Sequence, residues 1–119
     1  KEEKPEVSPV APQITLDGFD TVDLRVCKVV ECTAVPKAKK LLLLKLDDGM
    51  GGRQIVSSIH PWYEPEQLTG KKIIVIANLK PAKFCGVESQ GMLLAGDTPD
   101  GGCKVIFVDD AVPAGTRIH

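Results

Sequence analysis

Eight lysines fall in two acid-free runs of the chain. Lys37, Lys39, Lys40 and Lys45 lie within nine residues, and Lys71, Lys72, Lys80 and Lys83 lie within thirteen. Ammonium groups at that density attract a polyanion and displace its counterions. The second run leads into residues 78–92 (NLKPAKFCGVESQGM), which join two apolar runs. Asn78, Lys80, Lys83, Ser89 and Met92 are the candidates for contact there, while Pro81, Gly86 and Gly91 fix the shape. A stiff loop on a strand scaffold is where binding residues concentrate. Pro81, between Lys80 and Lys83, lowers the entropy lost when a partner docks. Each candidate also has a plainer reading. Lys39 and Lys40 fit solvated charge at a strand edge, Asn78 and Ser89 fit turn formation, and Met92 fits core filling.

Catalytic chemistry is poorly supplied. No Ser/His/Asp grouping is visible; His60 stands just before Pro61 and His119 is the last residue, so neither makes a good base. The glycines around Met50 match no phosphate loop, and Asp47 and Asp48 lack the regular oxygen ligands of a calcium loop. Cys27, Cys32, Cys85 and Cys103 form no C-x-x-C pair and no common zinc spacing. They read as small buried hydrophobes in a reducing compartment, here taken as the cytoplasm. A binding module is expected, not an enzyme, with no metal and no cofactor. A net charge of −1 argues against indiscriminate polyanion binding. From Phe84 onward acids outnumber bases, so the cations are segregated along the chain. No apolar run approaches the roughly 20 residues that span a bilayer, and neither a membrane nor DNA is expected as partner. The first residue is a lysine, which suggests a processed product or a fragment of a longer protein.

Residues 1–13 carry three prolines with Lys, Glu, Val and Ser and no periodicity, the composition of a flexible linker; residues 14–119 form one domain. Residues 21–35 read as a long strand whose apolar parity slips between Val26 and Val29, which predicts a bulge or bend. A bent first strand that pairs with both halves suits a small closed barrel. Residues 41–46 are apolar on both parities, predicting a strand covered on both faces. Residues 47–52 (DDGMGG) form a turn, and residues 53–59 return. A short helix follows between Glu64 and Gly70, then strands at 72–77, 92–96 and 104–108. The expected fold is all-β: a five-stranded OB barrel with a short helix between strands 3 and 4 and a short C-terminal extension. Strands 2 and 3 carry no aromatic residue on which a base could stack, and Trp62 and Tyr63 are expected to plug the barrel end. The choice therefore tilts toward backbone and shape recognition of a folded RNA.

Residues 19–26 (FDTVDLRV), 40–42 (KLL), 53–57 (RQIVS), 63–71 (YEPEQLTGK), 78–83 (NLKPAK) and 88–92 (ESQGM) resemble, in that order, the tRNA-binding domain family. This OB-fold domain occurs at the C-terminus of bacterial methionyl-tRNA synthetases and as a free-standing tRNA-binding protein. It also occurs in the phenylalanyl-tRNA synthetase beta subunit and in the endothelial monocyte-activating polypeptide. The resemblance runs from about Ile14 to Ile118 and is most specific at the last two segments. It implies a structure-specific tRNA-binding and homodimerising domain appended to methionyl-tRNA synthetase, raising tRNA affinity without catalysing a reaction. Alternatives are a free-standing tRNA-binding or chaperone-like homologue, or a purely dimerising scaffold. By motif position, Lys40, Asn78, Lys80, Lys83, Ser89 and Met92 would carry the tRNA contact. Lys39 joins them, standing where the family commonly has an acid, and Ser58 replaces the glycine usual after Ser57.

Overall fold

The first strand decides the architecture, because its two halves serve different neighbours. In the computed structural model, which describes residues 7–119, strand β1 runs over Leu24–Val35. Its first half pairs antiparallel with β4 (Lys72–Ile76), and its second half with β2 (Ala38–Asp47). The register slips between Val29 and Glu31, leaving Val30 as the extra residue. The bulge lies just past the parity change between Val26 and Val29 that is expected to mark one. It brings Cys32 onto the core face with Cys27 and Val29 while Val30 stays exposed. Val26, buried outside that core cluster, is paired through its backbone with residues 115 and 116.

Strand β3 (Arg53–Ser57) pairs with β2, and helix α2 (Pro65–Leu68) then carries the chain back to β4. Leu68 of α2 is wholly buried, and Gln67 Oε1 accepts the Glu64 backbone N–H at 2.8 Å, so Pro65 opens the helix on a satisfied first turn. Leu42, Leu44, Ile55, Leu68 and Ile73 fill the core with no exposed surface. Each contributes about 1.5–3 kcal/mol. On β2, Leu41 and Leu43 are half-buried and Lys45 is exposed, so the outer face of this strand is partly covered rather than sealed. Tyr63 packs on the core and its Oη accepts from Val105 N at 3.0 Å, as expected of a plug; Trp62 is 45% exposed.

The later strands are more broken than the sequence suggests. Residues 78–92 contain a hairpin, β5 (Ala82–Phe84) with β6 (Val87–Ser89). The expected strand at 92–96 divides into β7 (Met92–Leu93) and β8 (Ala95–Asp97). The one at 104–108 divides into β9 (Cys103–Val105) and β10 (Phe107–Val108). Both β7 and β10 pair with β4, whereas β8 and β9 pair with each other. The corners meet, for Ile106 N donates to Leu94 O at 3.1 Å. The main sheet thus has six strands, ordered β10-β4-β1-β2-β3 with β7 also on β4. Residues 115–118 line the remaining edge of β1, with Val26 N donating to Thr116 O and Ile118 N to Leu24 O.

Before β1 lies one helical turn, α1 (Leu16–Phe19), whose Gly18 N donates to the side chain of Thr15. Residues 7–13 are exposed and take no regular structure; residues 1–6 of the expected linker lie outside the described residues. Cys27 and Cys32 are buried, as expected, and burial pushes both thiols up to about 11. Cys85 is exposed at the tip of the β5–β6 hairpin. No helix among the described residues is long and apolar enough to cross a membrane.

The turn between β2 and β3 closes on Asp48, which is 1% exposed. Its Oδ1 accepts from Met50 N and Gly52 N, and its Oδ2 accepts from Arg53 Nε at 2.7 Å. Burial alone would push its carboxyl up, but Arg53 and the two backbone donors outweigh it and hold it below 3.8. The stability that this group contributes is therefore complete at neutral pH and lost as pH falls below about 4, through its folded pKa. Asp48→Ala, which strands Arg53, is expected to cost about 3–5 kcal/mol in urea melts. It should also flatten the acid limb of the stability curve.

Candidate nucleic-acid interface

The free edge of β3 would expose the backbone of Gln54 and Val56, and the end of the 78–92 segment satisfies it. Gln54 N donates to Gln90 Oε1 at 3.0 Å, Gln90 N donates to Gln54 O at 2.8 Å, and Val56 N donates to Ser89 Oγ at 2.9 Å. Ser89 is 3% exposed and its hydroxyl donates to Gly91 O at 3.0 Å. Gly91 completes the seam because nothing larger fits. With φ at +148°, a Cβ there would lie 2.8 Å from Ile76 O. The Ser-Gln-Gly run thus joins β3 to β7.

The start of the segment is pinned as firmly. Asn78 Oδ1 accepts from Asp23 N at 2.9 Å, and Asn78 Nδ2 donates to Thr21 O at 2.7 Å. Arg53 reaches both ends, donating from Nη1 to Ala77 O at 2.8 Å and to Gln90 O at 3.1 Å. Asp23 is itself held by Arg25, whose hydrogen bond lowers its carboxyl below the ordinary range despite partial burial. Asn78 and Ser89, singled out from the sequence, are therefore fastened to the frame. The side chains that remain free are Lys80 and Lys83, both exposed, and Met92, which is 49% exposed.

Lys39 and Lys40 are exposed for a different reason. The β1–β2 register runs from Ala34↔Leu42 directly to Val35↔Ala38, so Lys39, Lys40 and Leu41 have no partner on β1. A bulge of this kind re-aims side chains out of the sheet. Among the described residues, no lysine lies within ion-pair distance of a carboxylate. Lys72 Nζ is engaged by Asp110 O and Val112 O, which removes it from the basic run read in the sequence. Lys83 faces Glu88 across the β5–β6 pair, which weakens its field relative to that of Lys80.

Residues of both segments line a groove of about 510 Å³, in which Lys80 is the one lysine among the lining residues. Leu41, the neighbour of Lys40, lines it together with Ser57, Leu79, Lys80, Phe84 and Met92. No acidic residue contributes to its lining. Of the four lysines named from the sequence, Lys80 lines this depression, and Lys40 is next in the chain to Leu41. Lys83 stands between Ala82 and Phe84, which both line it, so that its side chain leaves the other face of β5. Phe84, 45% exposed on its wall, was not singled out by the sequence pattern. A ring at the end of a short strand that has no buried residue gives no periodic signal.

Asn78→Ala is expected to destabilise the chain by about 1–3 kcal/mol, leaving the Asp23 N–H and the Thr21 carbonyl without partners. Amide exchange should then speed up across residues 78–92 more than across β1 and β2. Equal acceleration in both would mean that the side chain is not a local tether.

The description "Putative tRNA binding domain" matches residues 24–117. Methionine–tRNA ligase of Bacillus subtilis is 50% identical over 118 residues, covering 99% of this chain and 18% of the ligase. This chain therefore spans less than a fifth of that relative's length. Among solved structures, a MetRS-related protein of Pyrococcus horikoshii superposes with a TM-score of 0.87 at 40% identity, covering 92% of this chain and 100% of that one. Chaperone CsaA of Bacillus anthracis superposes with a TM-score of 0.80 at 28% identity, covering 91% and 100%. The matched span, the likeness in fold to solved structures and the relatives agree, and the chain belongs to the tRNA-binding domain family.

Proposed function

We propose that this is a structure-specific tRNA-binding and dimerising domain of a methionyl-tRNA synthetase, working in the cytoplasm. It raises the affinity of the attached enzyme for tRNA and catalyses no reaction itself. The observation that supports this reading is the groove itself, lined by Leu41 of the first basic segment and by Leu79 and Lys80 of the second, with no acid in its lining. Lys39, Lys40, Lys80 and Lys83 would neutralise phosphates, held in register by the Asn78 and Ser89 anchors, while Met92 packs at the groove. No cofactor or metal is invoked. Residues 1–13 would link the barrel to the catalytic part, with 14–119 as the folded unit. Apolar side chains such as Leu16, Val30 and Phe107, exposed elsewhere, supply surface for pairing of two copies. Likeness to a chaperone supports a second reading in which the groove holds apolar peptide.

Titrating tRNA into the 119-residue chain at several salt concentrations separates these. Four phosphate contacts give a log–log slope of about −3, at −0.7 to −0.9 per contact. A flat response would leave the scaffold or peptide reading. Lys80→Ala with Lys83→Ala should lower the slope by about 1–2 while sedimentation still reports a dimer. A monomeric double variant would assign this loop to the subunit interface instead. Glu88→Gln, which removes the negative charge opposite Lys83 on the neighbouring strand, should tighten tRNA binding about 2-fold at low salt.

A further inference from the structure

The groove itself asks for more than phosphate. Leu79, Phe84 and Met92 are 45%, 45% and 49% exposed, and all three line it. Apolar surface concentrated in one concavity marks a ligand contact. The same concavity bears Lys80, so its occupant must be apolar on its face and anionic beside it. Ser57 and Ser58 also line the groove, and their hydroxyls make no hydrogen bond among the described residues, so donors and acceptors are available for a polar edge.

A nucleotide has that combination: a flat apolar face, a polar edge and a phosphate. A second copy of the chain fits less well, because a two-fold contact at the groove would set Lys80 close to its own counterpart. An apolar peptide would satisfy the walls and leave Lys80 without a partner. We propose that one unstacked nucleobase of the bound RNA lies in this groove against Phe84, with its 5′ or 3′ phosphate on Lys80. This rests on the tRNA-binding reading and specifies a contact within it. The stacking ring absent from strands β2 and β3 is thereby supplied by the β5–β6 hairpin.

The test pairs a protein variant with an altered RNA. Phe84→Ala in the 119-residue chain should weaken tRNA binding about 5- to 150-fold. Its salt slope should stay unchanged, because no charge is removed. Phe84→Trp should keep the affinity, and thermal melting should show both variants folded, since the ring is half outside the protein. A set of tRNA transcripts, each with one abasic nucleotide at an unpaired position, should contain one that loses affinity by the same factor. On that RNA, Phe84→Ala should have no further effect.

If Phe84→Ala binds as the wild type does, or if it weakens every abasic transcript equally, no base occupies the groove. Dissociation of a dimer by Phe84→Ala would make the groove a protein interface, and loss of unfolded-polypeptide capture with tRNA binding intact would make it a peptide site. Absence of salt-dependent tRNA binding by the wild-type chain would overturn both this inference and the function on which it rests. Loss confined to the Phe84→Ala comparison leaves the tRNA-binding reading in place.

Discussion

Arg53 is the constraint from which the binding face follows. Its guanidinium holds the buried carboxylate of Asp48 and donates to the carbonyls of Ala77 and Gln90, next to the two ends of the 78–92 segment. One planar group therefore fixes the β2–β3 turn, the exit from β4 and the approach to β7 together. An ion pair of this kind is weak evidence of net stability, because desolvating both partners offsets most of the attraction. Its value here is positional. A lysine in this place would carry three donors on a flexible stem and could not present the fork that satisfies three acceptors at once.

Such fastening matters because the free cations are on flexible side chains. Lysine side chains lose up to about 2 kcal/mol of rotamer entropy when immobilised. A mobile backbone beneath them would add its own ordering cost to binding. The Asn78 amide, the Ser89 hydroxyl and the Gly91 seam remove that second cost before any partner arrives. With a net charge of −1, long-range attraction is small, and affinity must come from cations within about a Debye length of phosphate. Segregation of charge and rigidity of the loop thus work on the same problem.

Legibility in the sequence followed the physics of each element. The parity slip between Val26 and Val29 points to the right strand but not to the right residue, since pairing with β4 is unbroken up to Lys28 and the bulged residue is Val30. Helix α2 was readable from Glu64-Pro65 and Gly70. The broken strands were not. Leu94 and Ile106 are apolar and sit within apolar runs, so nothing local distinguishes a corner from a continuing strand. The β5–β6 hairpin was hidden too, since its tip is Cys85-Gly86 rather than Asn-Gly and β5 has no buried face. Arg53 left one available clue: a cation directly after an acidic, glycine-rich turn, where a buried carboxylate needs a partner. Asn78 and Ser89 read locally as loop residues, but their hydrogen bonds run to chain segments 55 and 33 residues distant, which no local pattern encodes.

Backbone strain adds a final argument about where this fold tolerates imperfection. Among the described residues, two that are not glycine have positive φ, Lys37 at 67° and Cys85 at 52°. Lys37 follows Pro36 in the two-residue turn between β1 and β2, where the second position of a type II turn requires positive φ. Cys85 occupies the first central position of the β5–β6 turn, which with Gly86 at 80° has the backbone of type I′. Each carries roughly 1–2 kcal/mol that glycine would avoid. Both turns belong to the segments that carry the exposed lysines. A tight turn keeps Lys39 and Lys40 at the end of β2 and keeps Lys83 on a short, paired strand. Strain at the tips is sustained because the barrel beneath is over-determined, through the Leu42, Leu44 and Ile55 core and the Arg53 fork. Local conformational preference yields to the position of the cations.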